Sequence, residues 1–180
     1  MKDTIANYIL DEKEFGKKAE ILYYLKKKNK IFFDNTMVFK ALIAKLFIEL
    51  MEIDVDENIV VTAMMLCQCK KVNNAQDLKH IELYAKESAD YLRTMGFDEE
   101  FCIICEQHNR YSNRYPRSKE SDILEIVDQF GGMLLDRPER IAFPIEEAFA
   151  LLENRNLKGV KIQYLSEFKK FVDIVKEVNK

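Results

Sequence analysis

Apolar residues recur at helical spacing along almost the whole chain, and a sustained alternation with a period of two is missing. Residues typical of helix ends support this interpretation, because Asp98 precedes one apolar segment and Gly96 follows another. The pattern predicts helices near residues 4–29 (interrupted at Gly16), 35–52 (capped by Asn35 or Thr36), 56–71, 75–94, 99–110, 119–135, 146–153 and 161–178. The sequence therefore predicts an all-α, single-domain bundle of about seven to nine helices.

Composition and charge are those of an ordinary globular protein. The chain has 180 residues, of which 48% are hydrophobic and 33% charged. Its net charge of −3 predicts no general attraction to nucleic acid or to an anionic membrane. No apolar stretch approaches the roughly 18 residues that a membrane span requires, and the first residues lack a secretory segment. We therefore expect a cytoplasmic protein whose four cysteines are reduced.

Two segments combine residues with chemical potential in a motif-like order. Residues 106–116 read Glu-Gln-His-Asn-Arg-Tyr-Ser-Asn-Arg-Tyr-Pro, and residues 126–138 read Ile-Val-Asp-Gln-Phe-Gly-Gly-Met-Leu-Leu-Asp-Arg-Pro. Both resemble the HD-GYP branch of the HD superfamily, whose members cleave cyclic di-GMP. Residues 65–71, Met-Leu-Cys-Gln-Cys-Lys-Lys, lie where that family has Leu-Leu-His-Asp-x-Gly-Lys. The similarity extends over residues 35–149 and implies an HD-superfamily helical bundle.

The resemblance also implies that most of the family's metal ligands have been replaced. Cys67 and Gln68 stand at the family's His-Asp pair, and Tyr84 stands at a further histidine. Only two positions keep a ligand residue, His108 and Asp128. The full set of positions that correspond to the family's metal pocket is Thr36, Cys67, Gln68, Tyr84, His108 and Asp128.

Metal-assisted hydrolysis requires a cation held by several histidine and carboxylate ligands. With two histidines in the whole chain, a site with many histidines cannot be built. We therefore predict no catalytic residue, no cofactor and no bound metal, with Asp128 hydrogen-bonded inside the pocket and His108 near the surface at a helix end. The alternative is one divalent ion, weakly bound by Cys67, His108 and Asp128.

Four cysteines, in the spacings Cys67-x-Cys69 and Cys102-x-x-Cys105, have the letters of a zinc site. They lie in apolar segments predicted to be helical, so we interpret them as small buried hydrophobes.

Two adjacent glycines, Gly131 and Gly132, lie inside a predicted helix, where each costs about 1 kcal/mol relative to alanine. The pair predicts a second backbone packed closely against them, an open pocket beside Asp128, or a simple kink.

Arginines and tyrosines alternate in the polar segment between two predicted helices, which reads as a loop. Guanidinium groups and aromatic rings suit the phosphates and bases of a nucleotide, and they equally suit a protein partner. A solvated polar loop is the third interpretation. The residues concerned are Arg110, Tyr111, Arg114, Tyr115 and Arg117.

These observations lead to a prediction of a catalytically inactive HD-GYP-like signalling or regulatory domain that acts through protein–protein contact. A homodimer is one form of that contact, and a cyclic dinucleotide is a candidate ligand. The organisation implied is an N-terminal helical extension over residues 1–34 and an HD-GYP-like domain over 35–180, which together are expected to form one compact unit. The alternative is a metal-dependent phosphodiesterase or phosphohydrolase that acts on cyclic di-GMP or a related nucleotide through a non-standard metal site.

Overall fold

A computed structural model describes residues 4–71, 78–137, 140–155, 157–158 and 164–178. At residues 78–82 it describes the backbone alone. Over these residues the chain forms nine helices and no sheet, so the all-α prediction is confirmed. The helices are α1 Ile5–Asp11, α2 Phe15–Asn29, α3 Asn35–Met51, α4 Glu57–Leu66, α5 Leu78–Thr94, α6 Glu99–Gln107, α7 Lys119–Met133, α8 Ile145–Glu153 and α9 Leu165–Val178.

Side-chain caps explain where several helices begin. Oxygen atoms of Thr4, Asp56, Asp98 and Ser118 each accept a hydrogen bond from a backbone N–H in the first turn that follows. The cap of α3 is Asp34, which accepts from two backbone amides, so the prediction of Asn35 or Thr36 as the cap was wrong.

Other helix ends differ from the sequence prediction by a few residues. The first helical region breaks at residues 12–14, and Gly16 lies within α2. Helix α4 ends at Leu66 and residues 67–70 form a turn, so the predicted continuation of this helix to residue 71 is wrong. Gly96 has a φ of 93°, a left-handed conformation that suits the predicted stop. The predicted beginnings at 75 and 161 lie outside the described residues.

Helices α3, α4 and α7 form the centre of the bundle. Helix α3 packs on α4, α7 and α9, while α4 also contacts α6 and α7. Every residue from Val60 to Leu66 in α4 is buried, as the continuous apolar run predicts. These central helices also carry the polar residues of the candidate site.

The two ends of the chain pack on this centre. Ala6, Ile9 and Leu22 are fully buried in the common core, so the N-terminal helices belong to the bundle. The apolar face of α9 also covers the core, with the Phe168 ring 5.0 Å from the ring of Phe47 on α3. None of the described helices is long and apolar enough to cross a membrane.

Candidate functional site

Asp128, on α7, is the centre of a polar cluster inside the bundle. The Lys40 ammonium, from α3, lies 2.7 Å from Oδ1 of Asp128. The side-chain amide of Gln68, in the turn after α4, donates a hydrogen bond to the same oxygen. Lys71 in turn donates to Oε1 of Gln68 at 3.1 Å. Asp128 is thus linked to one lysine directly and to a second lysine through an amide.

The Lys40–Asp128 ion pair is almost enclosed. Side-chain exposure is 5% for Lys40 and 19% for Asp128. Burial by itself would raise the pKa of Asp128, but the positive charges of Lys40 and Lys71 and the nearby His108 outweigh it. The pKa of Asp128 therefore lies well below its ordinary value, and the group is a carboxylate at neutral pH.

His108 caps the C-terminal end of α6 and is 1% exposed. Its Nδ1 lies 2.6 Å from the backbone oxygen of Cys105, and a carbonyl can only accept, so Nδ1 carries the proton. Nε2 consequently accepts from the Tyr84 hydroxyl at 3.2 Å. Burial lowers the pKa of His108 below 6.5 although Asp128 opposes the change, so the ring is neutral at pH 7.

The predicted surface position of His108 is therefore wrong. Helix α6 packs against α4, α5 and α7, and this packing encloses the last turn of the helix.

Three other predicted pocket residues, Tyr84, Cys67 and Thr36, are poorly suited to bind a metal. Burial raises the pKa of the Tyr84 phenol well above its ordinary value of 10, and it raises the pKa of the Cys67 thiol well above its ordinary value of 9. The Cys67 Sγ donates to the backbone oxygen of Met64 at 3.7 Å. The Thr36 hydroxyl, in the first turn of α3, donates to Asp34 at 2.5 Å.

The residues of this cluster do not fit the metal centre that the resemblance implies. Asp128 Oδ1 and His108 Nε2 belong to the two residues that the resemblance assigns as ligands, and both atoms face hydrogen-bond donors. The donors are Lys40 and Gln68 at the carboxylate and Tyr84 at the imidazole. A metal ion needs deprotonated ligands with free lone pairs, and a neighbouring ammonium would repel it. Within the described ranges, no three His, Cys, Asp or Glu side chains are grouped so as to hold a metal.

Two cationic side chains lie against the glycine pair. A β-carbon on Gly131 would lie 2.9 Å from Cγ of Lys40, and one on Gly132 would lie 2.8 Å from Nη2 of Arg137. Both distances are shorter than a β-carbon normally tolerates. Nη2 is the far end of a flexible, exposed arginine that can move aside, whereas Cγ is in the middle of Lys40, so the steric need for glycine is clear only at Gly131. The closest neighbour is a side chain in each case, so the second backbone, one of the three alternatives that the sequence offered, is wrong.

Sequence reasoning missed Lys40, which is the central cation of the cluster. A signal was present, because Lys40 lies between Met37 and Ala44 at helical spacing on the apolar side of α3. A lysine inside an apolar stripe usually extends its ammonium to solvent, so the pattern gave no reason to pair it with Asp128.

Arg117 anchors the arginine-rich loop to α7. Its side chain is 1% exposed, and its guanidinium lies 2.8 Å from carboxylate oxygens of both Asp122 and Glu125. It also donates to the backbone oxygen of Gln107 at 2.6 Å. This buried position differs from the prediction that Arg117 contacts a ligand or partner, since all these contacts are internal.

The other predicted loop residues lie nearer the surface. Arg114 forms an ion pair with Glu99 at 3.0 Å and is 39% exposed. Arg110 is exposed and lies over the Tyr111 ring, 4.8 Å from its centroid. Tyr115 is 58% exposed. The loop therefore combines a buried anchor at Arg117 with exposed side chains at Arg110 and Tyr115.

All four cysteines are buried free thiols. Cys102 and Cys105 lie in α6, whereas Cys67 and Cys69 lie in the turn after α4 and not in a helix as predicted. Burial raises the pKa of Cys69 and of Cys102 to about 11. A thiol that stays protonated is a poor metal ligand.

No family model, curated protein or solved structure matches the chain in comparisons with known proteins. A function for this chain therefore has to be argued from the Asp128 cluster and from the loop that Arg117 anchors.

Proposed function

We propose that the chain is a catalytically inactive HD-GYP-like regulatory domain that acts through contact with a protein partner. The observation that carries this proposal is the Lys40 ammonium 2.7 Å from Asp128, the carboxylate that matches a family metal ligand. A hydrolytic centre of the family's kind needs that carboxylate for a metal. The ion pair instead neutralises it, and the lysine fills the space beside it.

The structure of the arginine-rich loop supports the proposed contact with a protein partner. Arg117 is buried at the base between two carboxylates, and this contact holds the loop before any partner arrives. Arg110 and Tyr115 are exposed in the same loop. Arginine and tyrosine are the side chains that most often dominate binding energy in interfaces. A loop that is already ordered loses little conformational entropy on binding.

Residual binding of a cyclic dinucleotide is a second candidate, favoured by a local excess of positive charge. The pKa of Arg155 is lowered first by burial and then by the neighbouring charges of Arg110, Arg137 and Arg140. Asp128 is the carboxylate that opposes this effect. Guanidinium groups are good partners for a phosphate, so this local charge supports the second candidate. This set of arginines differs from the one predicted from the sequence, because Arg114 and Arg117 pair with carboxylates.

Metal analysis of protein purified without chelator, followed by a cyclic di-GMP turnover assay with added Mn²⁺ or Fe²⁺, tests the loss of activity. We expect no stoichiometric metal and no turnover. Turnover that Asp128→Asn abolishes would overturn the proposal and establish the metal-dependent phosphodiesterase.

Binding is tested separately. Cyclic di-GMP at 100 times its dissociation constant should stabilise the fold by about 2.7 kcal/mol in a thermal-shift experiment, and Arg155→Ala should remove the effect. If the partner is a second copy of the chain, sedimentation at several concentrations should show a dimer that Tyr115→Ala weakens. A strict monomer at every concentration would exclude the homodimer.

A further inference from the structure

We infer that the Lys40 ammonium is a cation tethered in place of a metal ion, and that its removal creates a site at Asp128 for a small alkylammonium ion. The inference deepens the proposed function, because it rests on the proposed loss of metal chemistry in this pocket. It explains how the pocket keeps its charge balance, whichever partner the protein contacts.

The sequence of α7 leaves a path for the lysine side chain. A β-carbon on Gly131 would lie 2.9 Å from Cγ and 3.8 Å from Cβ of Lys40, and 3.4 Å from Cδ1 of Ile43. The clash would fall on the middle of the lysine chain, whose shift is limited while its ammonium stays on Asp128. Glycine at this position therefore favours the ion pair.

The groups around Asp128 suit an ammonium better than they suit a metal. The Lys40 side chain is 5% exposed and directs its N–H donors at a carboxylate, which only accepts. Gln68 also donates to Asp128, and Tyr84 donates to His108. An incoming metal would meet hydrogen atoms at each of these positions, whereas an ammonium needs only the carboxylate.

Shortening Lys40 to alanine removes the atoms of a propylammonium ion and leaves that space beside Asp128. The Asp128 side chain is 19% exposed, so a small ion can reach it from solvent. We expect Lys40→Ala to lower the Tm by on the order of 10 °C, since a partly buried carboxylate loses its cation. Propylammonium chloride should restore part of this loss in a saturable manner. Tetramethylammonium chloride at equal ionic strength should not, because it has no N–H.

Matched variants separate this effect from general stabilisation. Lys40→Met fills the same space without charge, and Lys40→Ala/Asp128→Asn lacks the carboxylate, so propylammonium should rescue neither. The wild-type protein should also show no rescue. Equal shifts in all four proteins, or no shift in folded Lys40→Ala, would overturn the inference.

If Lys40→Ala does not fold, two further variants decide the question. Asp128→Asn retains the buried ammonium without its carboxylate, so it should have a lower Tm than Lys40→Met/Asp128→Asn; the reverse order would overturn the inference. Turnover by the wild-type protein would overturn the proposed function instead, and it would leave the rescue result standing.

Discussion

Replacing Lys18 by methionine should remove a pH dependence of stability that the wild-type protein shows between about pH 8 and pH 10.5. Lys18 lies on α2 and is 1% exposed. Its ammonium donates to Oδ1 of Asn58 at 2.6 Å and to Oγ1 of Thr62 at 2.5 Å. Neither acceptor carries a charge that offsets the removal of the ammonium from water. Burial, reinforced by the positive charge of Lys13, therefore lowers the pKa of Lys18 from 10.5 to about 8.

The sign and size of the effect follow from these two pKa values. Between about pH 8 and pH 10.5 the unfolded chain binds more protons at Lys18 than the folded chain does, so the free energy of unfolding rises with pH. Each pKa unit corresponds to about 1.4 kcal/mol, which gives about 3 kcal/mol across this window. The destabilisation is fully present below the folded-state pKa, and it disappears above the unfolded-state value. Methionine has no ionisable group and lacks the effect.

Urea unfolding at a series of pH values from 7 to 10.5 measures this effect. The free energy of unfolding of the wild-type protein, relative to that of Lys18→Met, should rise by about 3 kcal/mol over the series. Lys27→Met is a matched control, because Lys27 is exposed on the same helix, and its curve should run parallel to that of the wild type. Cysteines and tyrosines titrate in all three proteins and cancel in the comparison. Parallel curves for the wild type and Lys18→Met would refute the reasoning.

Three further changes test other contacts of the fold. Gly131→Ala should destabilise the wild-type protein by about 1–3 kcal/mol, because the new methyl group overpacks against Lys40. In the Lys40→Ala background the same substitution should stabilise the protein by up to about 1 kcal/mol, because alanine favours a helix. Urea unfolding that shows the same sign in both backgrounds would contradict this. Arg117→Met should lower the free energy of unfolding by about 3–5 kcal/mol, because buried Glu125 loses the guanidinium that pairs with it. A loss below about 1 kcal/mol in urea unfolding would contradict the role of Arg117 as a structural anchor. Cys67 should resist a thiol reagent at pH 8 in the native protein and react on unfolding, as mass spectrometry can show; rapid native labelling would exclude the buried, protonated thiol.

Hydrophobic spacing was sufficient to predict the helices, because most of them bury one face against the same core. Helix α4 is the clearest case, since its apolar run from Ile59 to Leu66 covers most of the helix surface and lies at the centre of the bundle. Helix ends were less predictable, because a cap depends on which side chain reaches the free amides. Asp34 reaches two of them and displaces Asn35 and Thr36 from that role.

The candidate site was only partly predictable, because its key contact joins residues far apart in sequence. The resemblance supplied Asp128 and His108 from their own segments, but Lys40 enters from α3 and meets Asp128 only because α3 packs on α7. Charge type alone cannot identify such a pair, since most lysines are solvated. The same limit applies to Arg117, whose buried partner Glu125 looks like a surface residue in the sequence.

Helix α7 connects the ion pair with the loop, and this connection gives the lysine a physical advantage over a metal. Asp128 lies on α7, and Arg117 holds the loop through Asp122 and Glu125 on the same helix. A bound metal would stabilise α7 only in proportion to the logarithm of its free concentration above the dissociation constant. A tethered ammonium is present in every folded molecule, so α7 and the loop that it positions keep their geometry at any metal concentration. The chelator resistance of the fold tests this part of the proposal: unfolding midpoints with and without EDTA should coincide. A loss of stability in EDTA would mean that a metal and not Lys40 holds Asp128.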